Sequence, residues 1–276
     1  MARVFRTRGR PLPTPGRRAR RRRPGRACRT RARPPRNRQP RYSLLRVPPD
    51  PSDAARAAAA RAASELVEPG TAIGLGSGRA VWAVTELLGE RREELGGLRV
   101  VVASSRTDEL ARAAGLDVVE LDGELRLALA IDGADEIDPD LGLLKGGGGA
   151  LLREKIVVAA ADRFVVVAET SKQVDRLGAT RGIPVEVVRF GWRDTRARLL
   201  TLVESAELRR GDDGEPYVTD EGHCILDCAP RPTGGMADLA AAVKAMPGVV
   251  EHGLFLTEAS LAVLGRPDGE VERLQR

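Results

Sequence analysis

From Ser52 onward the apolar positions fall into two alternating rhythms. The Ala-rich stretch 53–67 has helical spacing, with Ser52 or Asp53 placed to cap it and Pro69-Gly70 to stop it. Beyond it, short unbroken runs of Val, Ile and Leu predict strands at 72–75, 98–103, 126–131 and 163–168. Between these lie amphipathic segments that predict helices at 79–89, 106–114 and 150–161. A strand that is apolar at every position has both faces covered, so the alternation implies an α/β fold with a Rossmann-like, mostly parallel sheet flanked by helices. Ligands of such sheets bind beyond the carboxyl ends of the strands.

Past Gly182 the order changes. Strand 184–188, helix 194–204, strands 206–210 and 217–227, helix 236–245 and strand 249–255 spell β-α-β-β-α-β, which predicts a second, smaller ferredoxin-like α+β domain. Gly211-Asp212-Asp213-Gly214 supplies the hairpin turn between its two middle strands, and a last strand at 260–264 can return to the first sheet. The expected organisation is a tail at 1–49, a discontinuous α/β domain at 50–180 plus 258–276, and the ferredoxin-like domain at 181–257.

Charge separates the tail from the rest. The formal net charge of +6 over 276 residues conceals 18 Arg, nine Pro and no Asp or Glu in residues 1–49, so the remainder is net −12. Such a stretch has no apolar period to offset the entropy of ordering it, and disorder is expected to about Pro49. A nucleic-acid arm, an organelle transit peptide and an extension ahead of the native start site all fit the composition. Proline interrupts every would-be helix from Pro11 to Pro40, and the repeated aromatics that would stack bases are missing, so no specific nucleic-acid partner is expected. No run approaches the roughly 20 apolar residues of a membrane span, and a cytoplasmic chain without membrane association is expected. Cys28, Cys224 and Cys228 match neither a disulfide framework nor a zinc pattern. Cys224 and Cys228 share one strand face and read as small buried hydrophobes; no metal site is expected.

Three segments carry candidate chemistry, each where a strand leaves the first sheet. Gly74-Leu75-Gly76-Ser77-Gly78 lies between a strand and a helix, a setting for a phosphate cradle or simply a tight turn. It lacks the third spacing of the dinucleotide fingerprint. Asp132-Gly133-Ala134-Asp135-Glu136 places carboxylates at a strand end. Leu144-Lys145 followed by Gly146 to Gly149 and the helix carrying Arg153-Glu154-Lys155 offers backbone N–H groups to an anion, without the spacing of a Walker A loop. Lysine fills only four of 45 basic positions, and Lys145, Lys155 and Lys172 lie in or near these motifs, which suggests a need for a compact point charge.

With Ser171-Lys172-Gln173-Val174-Asp175, these motifs resemble, in order and spacing, those of the type A ribose-5-phosphate isomerases. The resemblance runs from about residue 52 to the C-terminus, through Pro184-Val185-Glu186-Val187, Pro247-Gly248-Val249-Val250 and Gly265-Arg266-Pro267-Asp268-Gly269, and leaves the tail unmatched. It implies interconversion of ribose 5-phosphate and ribulose 5-phosphate through a cis-enediol(ate), a small-molecule sugar phosphate as partner, no metal or organic cofactor, and a homodimer or homotetramer. It also implies that Glu154 is the base and that Lys145, with Gly146, Gly147 and Gly148, stands beside the developing oxyanion. Asp132 and Asp135, with Gly133 and Ala134 between them, match residues that hold sugar hydroxyls and assist ring opening. Gly76, Ser77, Gly78, Arg79, Ala80 and Lys172 match substrate-binding positions. Arg79-Ala80 is a departure, because the family usually has Ser-Thr there; Arg79 either contacts phosphate in their place or points to solvent. A sugar-phosphate-sensing regulator on the same fold, a transferase using Glu154 as nucleophile and an inactive paralogue stay open as alternatives. The regulator requires a helix-turn-helix that residues 1–49 cannot build.

Overall fold

The computed structural model describes residues 51–232 and 234–276, so the expectation of disorder in the tail lies outside the described residues. The first half of the chain runs α1 (Pro51–Ser64), β1 (Ala72–Leu75), α2 (Arg79–Glu90), β2 (Arg99–Val102), α3 (Ser105–Ala113), β3 (Asp117–Val118), β4 (Leu129–Asp132), β5 (Glu136–Ile137), β6 (Leu143–Leu144), α4 (Leu151–Ala159) and β7 (Phe164–Glu169). It continues through β8 (Ile183–Val187), α5 (Trp192–Leu199), β9 (Ser205–Leu208), β10 (Cys224–Ala229), α6 (Met236–Lys244), β11 (Val249–His252), β12 (Leu254–Phe255), β13 (Leu261–Gly265) and β14 (Val271–Gln275). Among the described residues no helix is long and apolar enough to cross a membrane.

The first sheet has the order β14-β13-β7-β4-β1-β2-β3, parallel throughout except for β14 at one edge. Its unbroken apolar strands follow from cover on both faces. Val165 and Val167 of β7 pack with α1 and α2 through Ala59, Ala63, Val81 and Leu88. Phe164, Val166 and Ala168 of the same strand pack instead with Val157 and Val158 of α4 and with Phe255. The chain winds outward from β1 in both directions, first to β2 and then back to β4. The loops after β1 and β4 therefore part at one crevice, the switch point where ligands of open α/β sheets bind.

The second sheet, β11-β8-β10-β9, is antiparallel and has the expected β-α-β-β-α-β connectivity. Cys224 and Cys228 lie on its buried face with Val185, Val187, Leu199 and Val243, as small hydrophobes in a core. A third, three-stranded sheet, β12-β6-β5, has no counterpart in the sequence reading, because strands of two residues show no period.

Several boundaries differ from expectation for physical reasons. Helix α1 begins at Pro51, so Asp53 lies in its first turn, paired with Arg56, rather than at the cap. The expected strand 249–255 is broken at Gly253, where β11 of one sheet gives way to β12 of another. A side chain at 253 would collide with the Lys145 carbonyl, so only glycine permits the crossing. The expected strand 217–227 begins only at Cys224. The hairpin turn is present, with Gly211 N–H donating to Glu215 O at 2.9 Å, but residues 217–223 leave the sheet and close on themselves through Gly222 N–H to Thr219 O at 2.8 Å. This excursion brings Tyr217 and Asp220 to the site described next.

Candidate active site

Strand β4 is buried at all four positions and ends in Asp132, so the sheet carries a carboxylate to the floor of the crevice. Asp132 is 1% exposed, and its Oδ1 accepts from Ser77 N–H at 3.1 Å and Gly133 N–H at 2.7 Å. Gly76 is required at this contact, since a Cβ there would fall on the Asp132 carboxylate. Lys145, delivered by β6, places its Nζ 2.9 Å from Asp132 Oδ2, 3.2 Å from Glu154 Oε2 and 2.7 Å from Gly133 O. The ammonium thus lies between two carboxylates that attract it by charge as well as by hydrogen bonding.

Two carboxylates around one cation leave this buried trio one negative charge in excess when all three ionise. Burial therefore pushes Glu154 up to about 8, the Asp132 charge adds to the rise, and Lys145 opposes it. Burial also pushes Asp132 up against the pull of Lys145 and the two N–H groups. For Lys145, burial favours the neutral amine, but Asp132 and Glu154 outweigh it and hold the ammonium firmly charged.

Above the trio opens a cleft of about 540 Å³. Ser77, Gly78, Arg79, Ala80, Gly133, Ala134, Asp135, Gly146, Gly147, Gly148, Glu154 and Lys172 all line it, so the structure gathers most of the residues singled out in the sequence. Gly76, Asp132 and Lys145 lie beneath its floor instead of on its wall. Helix α2 starts at the cleft with Gly78 at φ 98° and no side-chain cap among the described residues, which leaves its first N–H groups for an anion. Ser77 does not add its own N–H, which Asp132 takes. Arg79 is exposed, Lys172 half-buried, and among the described residues neither side chain is engaged in a hydrogen bond or ion pair.

The glycine run is held from three sides. Gly147 N–H donates to Asp135 Oδ2 at 2.7 Å, Arg209 donates to Gly146 O at 2.6 Å, and Tyr217 OH donates to Gly148 O at 3.1 Å. Gly146 and Gly149 have φ of 99° and 86°, conformations that other residues rarely adopt. Buried Glu136 accepts from Gly178 N–H, Thr180 N–H and Thr180 OH within 2.7 Å and fixes the loop that brings Arg181 to Asp135, 3.0 Å away.

The sequence reading did not single out Arg56, Trp82, Ser104, Arg106, Glu169, Arg181, Tyr217 or Asp220, which also line the cleft. Arg56 is buried and paired with Asp53 at 2.6 Å and Glu169 at 2.7 Å. Its position inside an Ala-rich helix was the one available signal: a cation on the face that meets the sheet needs a partner. Asp220 accepts from Ser105 N–H at 3.0 Å and lies 3.2 Å from Arg153, contacts between residues far apart in the chain. Among the described residues no group of three His, Cys, Asp or Glu side chains is arranged to hold a metal ion.

The family model of ribose 5-phosphate isomerase A (phosphoriboisomerase A) matches residues 99–269. The ribose-5-phosphate isomerase A of Roseiflexus castenholzii is 51% identical over 223 residues, 79% of this chain and 94% of the relative. That of Synechococcus sp. strain JA-3-3Ab is 45% identical over 227 residues, 82% of this chain and 98% of the relative. Among solved structures, a D-ribose-5-phosphate isomerase in complex with phospho-erythronic acid superposes with a TM-score of 0.76 at 33% identity, covering 80% of this chain and 97% of that one. The Plasmodium falciparum enzyme gives a TM-score of 0.78 at 30% identity, covering 82% and 99%. Fold, cleft and motif order thus converge with these similarities, and the chain belongs to the ribose 5-phosphate isomerase A family.

Proposed function

We propose that this chain interconverts D-ribose 5-phosphate and D-ribulose 5-phosphate, the isomerisation of the non-oxidative pentose phosphate pathway, with Glu154 as the proton-transferring base. The observation that carries the reading is the Lys145–Glu154 pair, a carboxylate raised toward neutrality with a fixed cation 3.2 Å away at the floor of a cleft. Isomerisation requires a base to take the proton from C2 of the open-chain aldose and return it to C1, while the carbonyl oxygen becomes an oxyanion that takes up the proton given up by the C2 hydroxyl as that becomes the new carbonyl. A base is most effective when its pKa lies near the working pH. A cation and backbone N–H groups already in position stabilise the oxyanion more than the carbonyl it came from. Lys145 and the N–H groups of Gly146 and Gly148 serve that purpose here, those of Gly147 and Gly149 being taken by Asp135 and by Gly146 O, and the proton transfer uses no metal or organic cofactor.

Asp135, on the cleft wall, holds sugar hydroxyls and assists ring opening. Asp132, beneath the floor, acts chiefly by fixing Lys145. The phosphate is met at the start of α2 by the backbone of Gly78, Arg79 and Ala80 and the Ser77 hydroxyl, and by the side chains of Lys172 and Arg79. Arg79 then replaces with a guanidinium the hydroxyl donors usual in the family. The phospho-erythronic acid bound by a solved relative joins a phosphate to a carboxylic acid, the two kinds of anionic group such a cleft would select. The same reading assigns residues 50–180 and 258–276 to the catalytic domain and 181–257 to the ferredoxin-like domain, and takes the working form as a homodimer or homotetramer in the cytoplasm.

The test is to incubate the purified chain with ribose 5-phosphate in deuterated water and follow both ketose formation and deuterium at C1 and C2 by NMR. Ketose should form with solvent deuterium in the recovered sugar phosphate, and Glu154→Gln should lose both. Turnover by the Gln variant at the parent rate overturns the assignment of the base; no turnover by the parent overturns the function.

A further inference from the structure

Lys155 follows the proposed base on α4, yet it faces away from the cleft and is not among its lining residues. Its Nζ donates to Glu251 Oε1 at 3.0 Å, His252 O at 2.8 Å and Leu254 O at 3.0 Å, so each of the three ammonium hydrogens has an oxygen. The ammonium also sits 4.6 Å from the centroid of the buried Phe255 ring. A planar guanidinium cannot converge on three acceptors around one point, which accounts for lysine here in a chain that otherwise prefers arginine.

The segment that Lys155 grips is the one that places Lys145. Gly253 O accepts the Lys145 N–H at 2.8 Å, and Gly253 N–H donates to Pro184 O at 2.8 Å. β12 then runs antiparallel to β6, with Leu254 opposite Leu144 and Phe255 opposite Leu143. The absence of a side chain at 253 lets that backbone press directly on Lys145. Lys145 Nζ itself lies 5.5 Å from the same centroid. Glu251, the remaining acceptor, is pinned a second time by Lys244 at 2.6 Å.

We infer that Lys155 is a positioning residue for the reaction: by clamping residues 251–255 to α4 it fixes the separation between Glu154 and Lys145. The inference rests on the assignment of Glu154 as base and Lys145 as oxyanion partner. Without the clamp, α4 and β6 lose their shared splint, and the cation drifts from both the base and the oxyanion it steadies. Small misplacements of this kind cost up to about 100-fold in rate.

The experiment compares Lys155→Met, Lys155→Arg and Gly253→Ala with the parent, each corrected for folded fraction by circular dichroism. All three should lower kcat roughly 10- to 100-fold while KM for ribose 5-phosphate stays within about twofold. The acid limb of kcat/KM should move to higher pH, because a more distant Lys145 lowers the Glu154 pKa less. Gly253→Ala displaces the same segment with the lysine intact, so it carries the test if the Lys155 variants do not fold. Folded variants with parental kcat and an unshifted acid limb, or full rescue by Lys155→Arg, overturn the inference. If Glu154→Gln is inactive while these variants are parental, only the clamp fails; if Glu154→Gln is active, the reading of the site beneath it has failed.

Discussion

Glu154→Gln preserves the shape of the side chain and removes its charge, which makes it a probe of stability as well as of catalysis. Burial first, then the charge of Asp132, raises Glu154 from an ordinary 4.5 to about 8. An acid whose pKa is raised by folding holds its proton more firmly in the folded chain than in the unfolded one. Its ionisation therefore weighs against the fold, from nothing below the unfolded value near 4.5 to the full amount above the folded value near 8. At about 1.4 kcal/mol per pKa unit, the destabilisation is on the order of 2 kcal/mol at pH 6 and on the order of 5 kcal/mol at pH 9. Glutamine carries no such cost, so the stability advantage of the variant over the parent should widen by on the order of 3 kcal/mol between pH 6 and pH 9. Urea unfolding of both proteins at pH 6, 7.5 and 9 reads this directly, with turnover measured on the same samples. Turnover should fall by about 10²- to 10⁴-fold, the usual worth of a positioned base. A stability difference that stays constant across the three pH values refutes the argument, since Glu154 would then ionise as freely in the fold as outside it.

Four further outcomes follow from the same geometry. In the parent, kcat/KM should rise about tenfold per pH unit up to about pH 8 and level off above it, as Glu154 loses its proton; a flat profile from pH 6 to 8 contradicts the assignment. Lys145→Met should reduce kcat by about 10²- to 10³-fold and shift that limb to higher pH, because Lys145 holds Glu154 down and, in the proposed mechanism, steadies the oxyanion. Arg79→Ala should raise KM for ribose 5-phosphate by about tenfold with kcat little changed if the guanidinium meets the phosphate; an unchanged KM removes Arg79 from the site. Glu136→Gln should destabilise the chain by about 2 to 3 kcal/mol in urea unfolding, because the buried carboxylate accepts charge-assisted bonds from residues 178–181.

Patterning alone was enough for the elements whose physics is local or repetitive. Strands β1, β4 and β7 are apolar at successive positions because both faces of a parallel sheet are covered, and that leaves a mark on the sequence. Glycine where φ is positive, Asp132 at a strand end and Lys145 before a glycine run are legible for the same reason: a backbone or charge requirement is met by few residue types. The β-α-β-β-α-β order of the second sheet was equally readable from its alternation of periods.

What required the tertiary structure is whatever depends on residues distant in the chain meeting in space. Asp132 and Lys145 stand in the motifs as candidates of equal rank with Asp135, but only packing shows that the first two lie beneath the floor and the third on the wall. Tyr217 and Asp220 sit in a stretch expected as strand, although Asp220-Glu221-Gly222 turns locally on Thr219. Their contacts with Gly148, Ser105 and Arg153 hold the chain out of the sheet, and those partners are 67 to 115 residues away. The same holds for Gly253, where one strand becomes two. Glu154 was nameable from its motif, but the raised pKa that suits it to the proposed role of base comes from burial beside one cation and a second carboxylate, which exists only once three separate segments have been brought together.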